Sequence, residues 1–196
     1  MMNKRCVGFC LLALLIGLLG CKPRQASRVQ AGMQQEYFSL KKYFTEQIDS
    51  FMQDSGRMAL MKVVSMNQHT DTVWMPLTRQ NLMTIFQPFM ALDIDRPAFR
   101  DMYRIESFQD SITGKITIIY TSLGAITRPY QIYLQVNPAH SIHSIYVKSM
   151  TDNFLYHTSK QLLYQAGKSV ELITYEHMQL FAPRRIYVRV FFAPQA

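Results

Sequence analysis

The sequence predicts an α+β domain in which two helices from the N-terminal half cover a wide, curved antiparallel β-sheet. Helical stripes of apolar residues occur before residue 92, whereas short alternating segments separated by turn residues fill the chain after Met102. Consecutive strands joined by short turns pair antiparallel, because parallel pairing needs long crossover connections. A meander of roughly nine or ten strands tends to curl, so we expect a half-barrel with an apolar concave face under the helices.

The first predicted helix runs from Gln34 to about Asp54. Its apolar residues recur every three or four positions, which is typical of one face of an amphipathic helix. Ser55-Gly56 provides its end, since glycine is favoured just after a helix. The apolar stripe consists of Tyr37, Leu40, Phe44, Ile48 and Phe51.

A hairpin and a second helix follow. The segment Met58–Met66 and a second segment ending near Met75 predict two strands around a polar turn. Thr78 is the predicted N-cap of the second helix, which Pro88 should kink or end. The acidic run Asp93-Ile94-Asp95 precedes Arg96-Pro97, so we interpret it as capping a short helical segment and not as a metal motif.

Eight further strands are predicted after Met102, each bounded by residues that favour turns. Several of them alternate apolar and polar residues, as expected when one face of a sheet is buried. The predicted strands are Tyr103–Gln109, Lys115–Ser122, Arg128–Val136, Ile142–Met150, Phe154–His157, Gln161–Ala166, Val170–Met178 and Arg185–Phe192.

The N-terminal 20 residues have the features of a signal peptide. Lys4 and Arg5 precede the uncharged segment Val7–Leu19, which is shorter than the roughly 20 apolar residues of a membrane-spanning helix. The segment ends in Leu18-Leu19-Gly20-Cys21, which resembles the lipobox of bacterial lipoproteins. That resemblance implies cleavage before Cys21 and attachment of lipid to its sulfur. The alternatives are an ordinary secretory signal and a retained membrane anchor.

Cleavage would divide the chain into a signal peptide (1–20), a tether carrying lipidated Cys21 (21–33) and a single α+β domain (34–196). The tether is polar and mildly basic, and we expect it to be flexible. Cys6 and Cys10 would leave with the signal, so the mature chain would have no disulfide and no free thiol. The net charge would fall from +8 to +6, because only Lys4 and Arg5 are lost.

The positive charge favours anionic lipid headgroups as the counterpart of an exported, lipidated protein, and we expect no nucleic-acid partner. A basic surface without a partner is the alternative. Known catalytic motifs are absent from the sequence, so we expect no enzymatic activity and no cofactor. His140 and His143 would point to opposite faces of a strand, which argues against a metal pair. Gly167-Lys168-Ser169 lacks the first glycine of a phosphate-binding loop, and we interpret it as a turn.

The chain is rich in soft apolar and aromatic residues, with 13 methionines, 11 tyrosines and 12 phenylalanines. Methionine adapts to irregular shapes and is frequent at apolar binding surfaces. One hypothesis is therefore a pliable cavity between sheet and helices that binds a lipid-like or apolar ligand. The alternatives are an ordinary methionine-rich core and an adaptor that presents Arg185, Arg189 and sheet tyrosines to another envelope protein. The predicted lining of the cavity is Met75, Met83, Phe86, Phe89 and Met90.

The order helix, hairpin, helix and antiparallel meander behind a lipobox is similar to uncharacterised outer-membrane lipoproteins of the Bacteroidota. It also resembles, remotely, the periplasmic carriers and receptors of the lipoprotein localisation pathway, which shelter acyl chains between a curled sheet and helices. The likeness covers most of the mature chain as architecture, without a shared motif, and the late helices of that family are not evident here. It implies a lipid-like ligand. In lipoproteins of the Bacteroidota an acidic stretch soon after the cysteine resembles a surface-export signal, and this chain lacks one. The comparison therefore implies residence on the periplasmic face of the outer membrane.

Overall fold

Nine antiparallel strands form one open sheet in the computed structural model, which describes residues 36–53, 58–66, 69–124 and 129–194. The predicted signal peptide, the tether with Cys21 and the Ser55-Gly56 helix end lie outside these residues. The helices are α1 (Leu40–Gln53), α2 (Arg79–Met90) and a short 3₁₀ helix (Pro97–Phe99). The strands are β1 (Met58–Met66), β2 (His69–Pro76), β3 (Tyr103–Gln109), β4 (Ile116–Ser122), β5 (Gln131–Val136), β6 (Ile142–Asp152), β7 (Tyr156–Gln165), β8 (Ser169–Met178) and β9 (Arg184–Pro194).

The sheet has the strand order β2-β1-β9-β8-β7-β6-β5-β4-β3. Strands β3 to β9 form a continuous meander, and the β1–β2 hairpin is added beside the last strand. Met58 pairs with Pro194 and Met66 with Ile186, so β1 is paired with β9 over its whole length. The predicted α+β class with a wide antiparallel sheet is therefore confirmed.

Strand β7 differs from the sequence prediction, which divided this region into the two strands Phe154–His157 and Gln161–Ala166. The structure has one continuous strand, so the described sheet contains nine strands. The polar run Thr158-Ser159-Lys160 hides the apolar alternation, but its backbone remains paired, with Thr158 opposite Glu176 and Lys160 opposite Thr174. Backbone pairing does not require apolar side chains.

Helix α1 begins at Leu40, because residues 36–39 before it are not helical, and the predicted start at Gln34 lies outside the described residues. The ring of Tyr37 packs edge-on against Tyr103 and Tyr120, and its hydroxyl oxygen accepts a hydrogen bond of 3.2 Å from the Tyr103 amide. The Thr78 cap of α2 is confirmed, since its side chain accepts a hydrogen bond from the Asn81 amide at 3.2 Å.

The buried carboxylate of Asp93 caps a helix, but not the one that follows it in sequence. It accepts hydrogen bonds from the Leu40 amide at 2.8 Å and from the Ser39 hydroxyl at 3.1 Å. Arg96, at the start of the 3₁₀ helix, makes no side-chain capping bond. The capping prediction is therefore corrected: Asp93 binds the N-terminus of α1, where a negative charge also interacts favourably with the helix dipole.

Replacing Asp93 with alanine is expected to lower the free energy of unfolding by about 2 kcal/mol, because it leaves the buried Leu40 amide without its acceptor. Urea unfolding followed by circular dichroism would measure this loss. Asp95→Ala is the matched control, since Asp95 is exposed, and it should change stability by less than about 0.5 kcal/mol. Equal effects of the two substitutions would contradict the capping role.

The core lies between the two helices and one face of the sheet, and its centre is the ring of Phe44. This ring lies 4.8 Å from the rings of Phe86 and Phe89 and 5.2 Å from that of Tyr164, measured between centroids. The Tyr164 hydroxyl donates to Gln47 Oε1 at 2.9 Å, so its burial leaves no unsatisfied donor. Burial raises the pKa of Tyr164 above its ordinary value.

Candidate functional site

The five residues predicted to line a cavity occupy three kinds of position. Phe86 and Phe89 are completely buried and in contact with Phe44 at the centre of the core. Met75 and Met90 are partly buried against the same core, and Met83 is largely exposed. The structure thus brings the two phenylalanines together around another ring, and the methionines lie at the margin or on the surface.

A different region of the same sheet face changes from apolar to polar along strands β6, β7 and β8. These strands are ten or eleven residues long. Side chains of directly paired residues lie on the same face of an antiparallel sheet, so the register defines the surface. Its apolar part includes Val147, Leu162 and Leu172, and its polar part includes Ser149 opposite Lys160, Thr151 opposite Thr158, and Thr174 opposite Lys160 on the other side.

A groove with a volume of about 310 Å³ lies between this surface and the C-terminal end of α2. Helix α2 contributes Pro88, and the turn after it contributes Leu92, so the wall on that side is apolar. Leu162 and Leu172 add apolar side chains from the sheet. The polar lining consists of Gln87, Ser149, Thr151, Thr158 and Lys160.

The hydroxyl of Thr158 has no hydrogen-bond partner within the described part of the chain, although the residue is only 3% exposed. Buried hydroxyl groups are nearly always hydrogen-bonded, and an unpaired one costs about 1–3 kcal/mol. The ammonium group of Lys160 lies on the same face two positions along β7, is exposed and forms no ion pair with a described residue. The groove therefore offers unused donors beside an apolar wall.

Thr158 and Lys160 are not among the residues predicted from the sequence. They form a polar interruption of an otherwise alternating region, and such an interruption also predicts a break between two strands. An interruption of this kind has two explanations. It is either a turn or part of a strand whose inward-facing side chains lie in a polar environment. Only the pairing of β7 along its full length distinguishes them.

A second recess, of about 360 Å³, lies on the same face beyond the polar end of the groove. Thr158 in the groove is directly opposite Glu176, which lines the recess. Glu176 accepts a hydrogen bond of 2.7 Å from Arg184, so this charge is paired within the protein. Met178 and Phe181 form the apolar part of the recess.

The opposite face of the sheet carries the arginine and tyrosine residues that an adaptor surface would use. Arg189 lies over the Phe191 ring at 4.4 Å, and its Nε lies 3.0 Å from Glu171. Lys148 lies within 6 Å of the rings of Tyr133 and Tyr146. These side chains are largely occupied by partners within the sheet, whereas Arg185 is exposed.

Within the described ranges, no cluster of three or more histidine, cysteine, aspartate or glutamate residues has a geometry suited to a metal ion. Burial lowers the pKa of His143, and the nearby charges of Lys115 and Lys168 lower it further. Among the described helices, none combines the length and the apolar character needed to cross a bilayer.

The chain matches no protein-family model, and no curated protein or solved structure shows significant similarity to it.

Proposed function

We propose that the protein is a lipid-anchored envelope lipoprotein that binds an amphiphilic, lipid-like ligand in the groove between α2 and strands β6 to β8. The observation that carries this proposal is that the buried hydroxyl of Thr158 and the ammonium of Lys160 beside it have no partner among the described residues. A carboxylate or phosphate would accept a hydrogen bond from each of them. An adjoining apolar segment of the same ligand would contact Leu92, Leu162 and Leu172.

The volume of the groove limits the ligand. About 310 Å³ is at the lower end of the range for small-molecule sites, so the groove accommodates a head group with a short apolar segment. A longer acyl chain would extend beyond it. The proposal includes the curved, half-barrel form of the sheet, which would bring the polar ends of β6 to β8 toward α2. The proposed binding position is the C-terminal end of α2 and not Phe86 and Phe89, because the side chains of these two residues are part of the core.

The anchor and the location belong to the same proposal. The lipobox residues Leu18, Gly20 and Cys21 support lipidation, and the lack of an acidic stretch in the tether just after Cys21 supports the periplasmic face of the outer membrane. We propose no enzymatic activity and no cofactor. The alternative is an adaptor lipoprotein whose surface binds another envelope protein.

The test combines native mass spectrometry and lipid extraction of the purified protein with titration of a fluorescent fatty acid. Thr158→Val with Lys160→Met removes both donors while keeping the shape of the side chains. Hydrogen bonds to charged groups contribute about 1.5–3 kcal/mol, so we expect affinity to fall roughly 10- to 100-fold. The double variant should be at least as stable as the original protein without ligand, because it removes an unsatisfied buried hydroxyl.

The matched control is Ser159→Ala with Lys168→Met. Ser159 lies on the opposite face of β7 and Lys168 in the turn after it, outside the groove. The control should bind as the original protein does. Unchanged affinity of the Thr158/Lys160 variant would reject the groove as the site. A folded protein that contains no non-covalently bound lipid and takes up no fatty acid would favour the adaptor alternative.

A further inference from the structure

Two neighbouring hairpin turns expose large apolar side chains. Phe154 is 85% and Leu155 64% exposed in the turn between β6 and β7, and Leu180 is 89% and Phe181 69% exposed in the turn between β8 and β9. Turn positions of this kind usually carry glycine, asparagine, aspartate or serine. A group of exposed apolar residues on a protein surface marks a site that contacts another protein, a membrane or a ligand. We call these four residues the tip surface.

The tip surface is one continuous feature of the fold. In an antiparallel meander every second turn lies at the same end of the sheet, so these two turns are neighbours. The Gln179 amide donates to the Leu155 carbonyl at 3.2 Å, which links one turn to the other. The apolar side chains are thus held by the ends of four paired strands.

Further exposed apolar residues lie at the same end of the sheet. Leu123 follows β4, Met102 precedes β3, and both are exposed; the Leu123 amide donates to the Met102 carbonyl at 2.9 Å. The turns at the opposite end of β5 to β8 are polar, and Ile112, after β3, is an isolated exception there. Exposed apolar residues thus occur at three places along this end of the described sheet, which fits contact with one extended surface.

The described chain also enters the domain at this end. Tyr37 contacts Tyr103, the first residue of β3, which pairs with Ser122, the last residue of β4. Cys21 precedes Tyr37 by sixteen residues, a stretch that spans at most about 55 Å when fully extended. Lipid on Cys21 would therefore keep a bilayer within reach of the tip surface.

We infer that the tip surface docks on the lipid bilayer, with Phe154, Leu155, Leu180 and Phe181 at the boundary between headgroups and acyl chains. Aromatic and aliphatic side chains are favourable at this depth. The exposed Arg185, close behind the β8–β9 turn, is placed to meet lipid phosphates. The anchor part of this inference rests on the proposed function.

Docking of the tip surface on a bilayer would also give a lipid-like ligand access to the groove. Phe181 of the tip surface lines the recess with Glu176, and Glu176 is directly opposite Thr158 of the groove. The path from the docked end to the unpartnered hydroxyl therefore follows one face of β7 and β8. An amphiphile leaving the bilayer would reach the groove along this face.

The experiment places a fluorescent side chain at each end of the sheet in the full mature protein. Trp74, the single tryptophan, is replaced by phenylalanine. Into this background are introduced Phe154→Trp, Phe181→Trp or, as the matched control, Ile112→Trp, whose native side chain is 92% exposed at the opposite end. The proteins are reconstituted in vesicles of phosphatidylethanolamine and phosphatidylglycerol, with or without bromine on the acyl chains.

We expect blue-shifted emission for Phe154→Trp and Phe181→Trp, with quenching by brominated lipid several-fold greater than for Ile112→Trp. Quenching equal to that of the control would overturn the inference. A blue shift that depends on protein concentration and occurs in detergent without vesicles would also overturn it, because it would assign the surface to a second copy of the chain.

The result of the quenching experiment can be distinguished from the results that test the proposed function. If Cys21 carries no lipid, the same comparison is made by adding the purified protein to preformed vesicles, and selective quenching at the tip surface still supports docking. If Thr158 and Lys160 bind no ligand, the quenching pattern is unaffected. Docking therefore fails when the two ends of the sheet are quenched alike, or when the blue shift occurs in detergent without vesicles.

Discussion

Replacing Phe44 with alanine is expected to lower the free energy of unfolding by about 4 kcal/mol, a large part of the total stability of a domain this size. The Phe44 ring is completely buried and is in contact with rings from α2 and from β7. Its removal opens a cavity at the point where both helices meet the sheet. Neighbouring rings can only partly fill the space, since each is held by contacts of its own.

The matched control is Phe108→Ala, the same chemical change at an exposed position in β3. We expect it to alter the free energy of unfolding by less than about 0.5 kcal/mol. Chemical denaturation followed by far-ultraviolet circular dichroism measures both variants. A loss for Phe44→Ala no greater than that for Phe108→Ala would show that the ring is not central to the packing.

Replacing Cys21 with alanine is expected to abolish lipidation altogether, because the sulfur of this residue is the proposed attachment point. The protein should then be found in the soluble fraction or as the unprocessed precursor. Metabolic labelling with a fatty acid and fractionation of the cells measure this directly. The effect is large because the chain has only three cysteines and the other two precede the proposed cleavage site.

Cys10→Ser provides the comparison for this experiment. Cys10 lies within the predicted signal peptide, so its replacement should leave labelling and membrane association unchanged. Fatty-acid label that persists on the Cys21→Ala protein would remove the anchor from the proposed function. It would leave the tests of the groove and of the tip surface in place.

The regular elements of the fold could be predicted because burial imposes a period on the sequence. Leu40, Phe44, Ile48 and Phe51 recur at helical spacing, and all four are buried on one face of α1. The cap at Thr78 could be predicted from local chemistry alone. Asp93 could not be assigned to its helix in the same way, because its partner Leu40 is distant in sequence and is reached only through the tertiary fold.

The groove could not be predicted for a related reason. It exists because α2 ends at Met90 while strands β6 to β8 continue beyond the region that the helix covers. That difference in length depends on how the helix is placed on the sheet, and no local pattern records it. The residues that fill the core and those that would line a cavity are chemically alike, so Phe86 and Phe89 fitted both descriptions.

The pairing of the first strand with the last has a consequence for how the chain reaches its native state. Leu60 in β1 is paired with Phe192, 132 residues later, so this contact closes nearly the whole domain into one loop. Such non-local pairing raises the contact order and slows folding. When the chain is synthesised from its N-terminus, β1 and β2 are complete long before β9 is made. The edge of β1 that pairs with β9 therefore stays unpaired until β9 has formed. Unpaired edges aggregate readily, which makes a folding chain most vulnerable before its final eleven-residue strand docks.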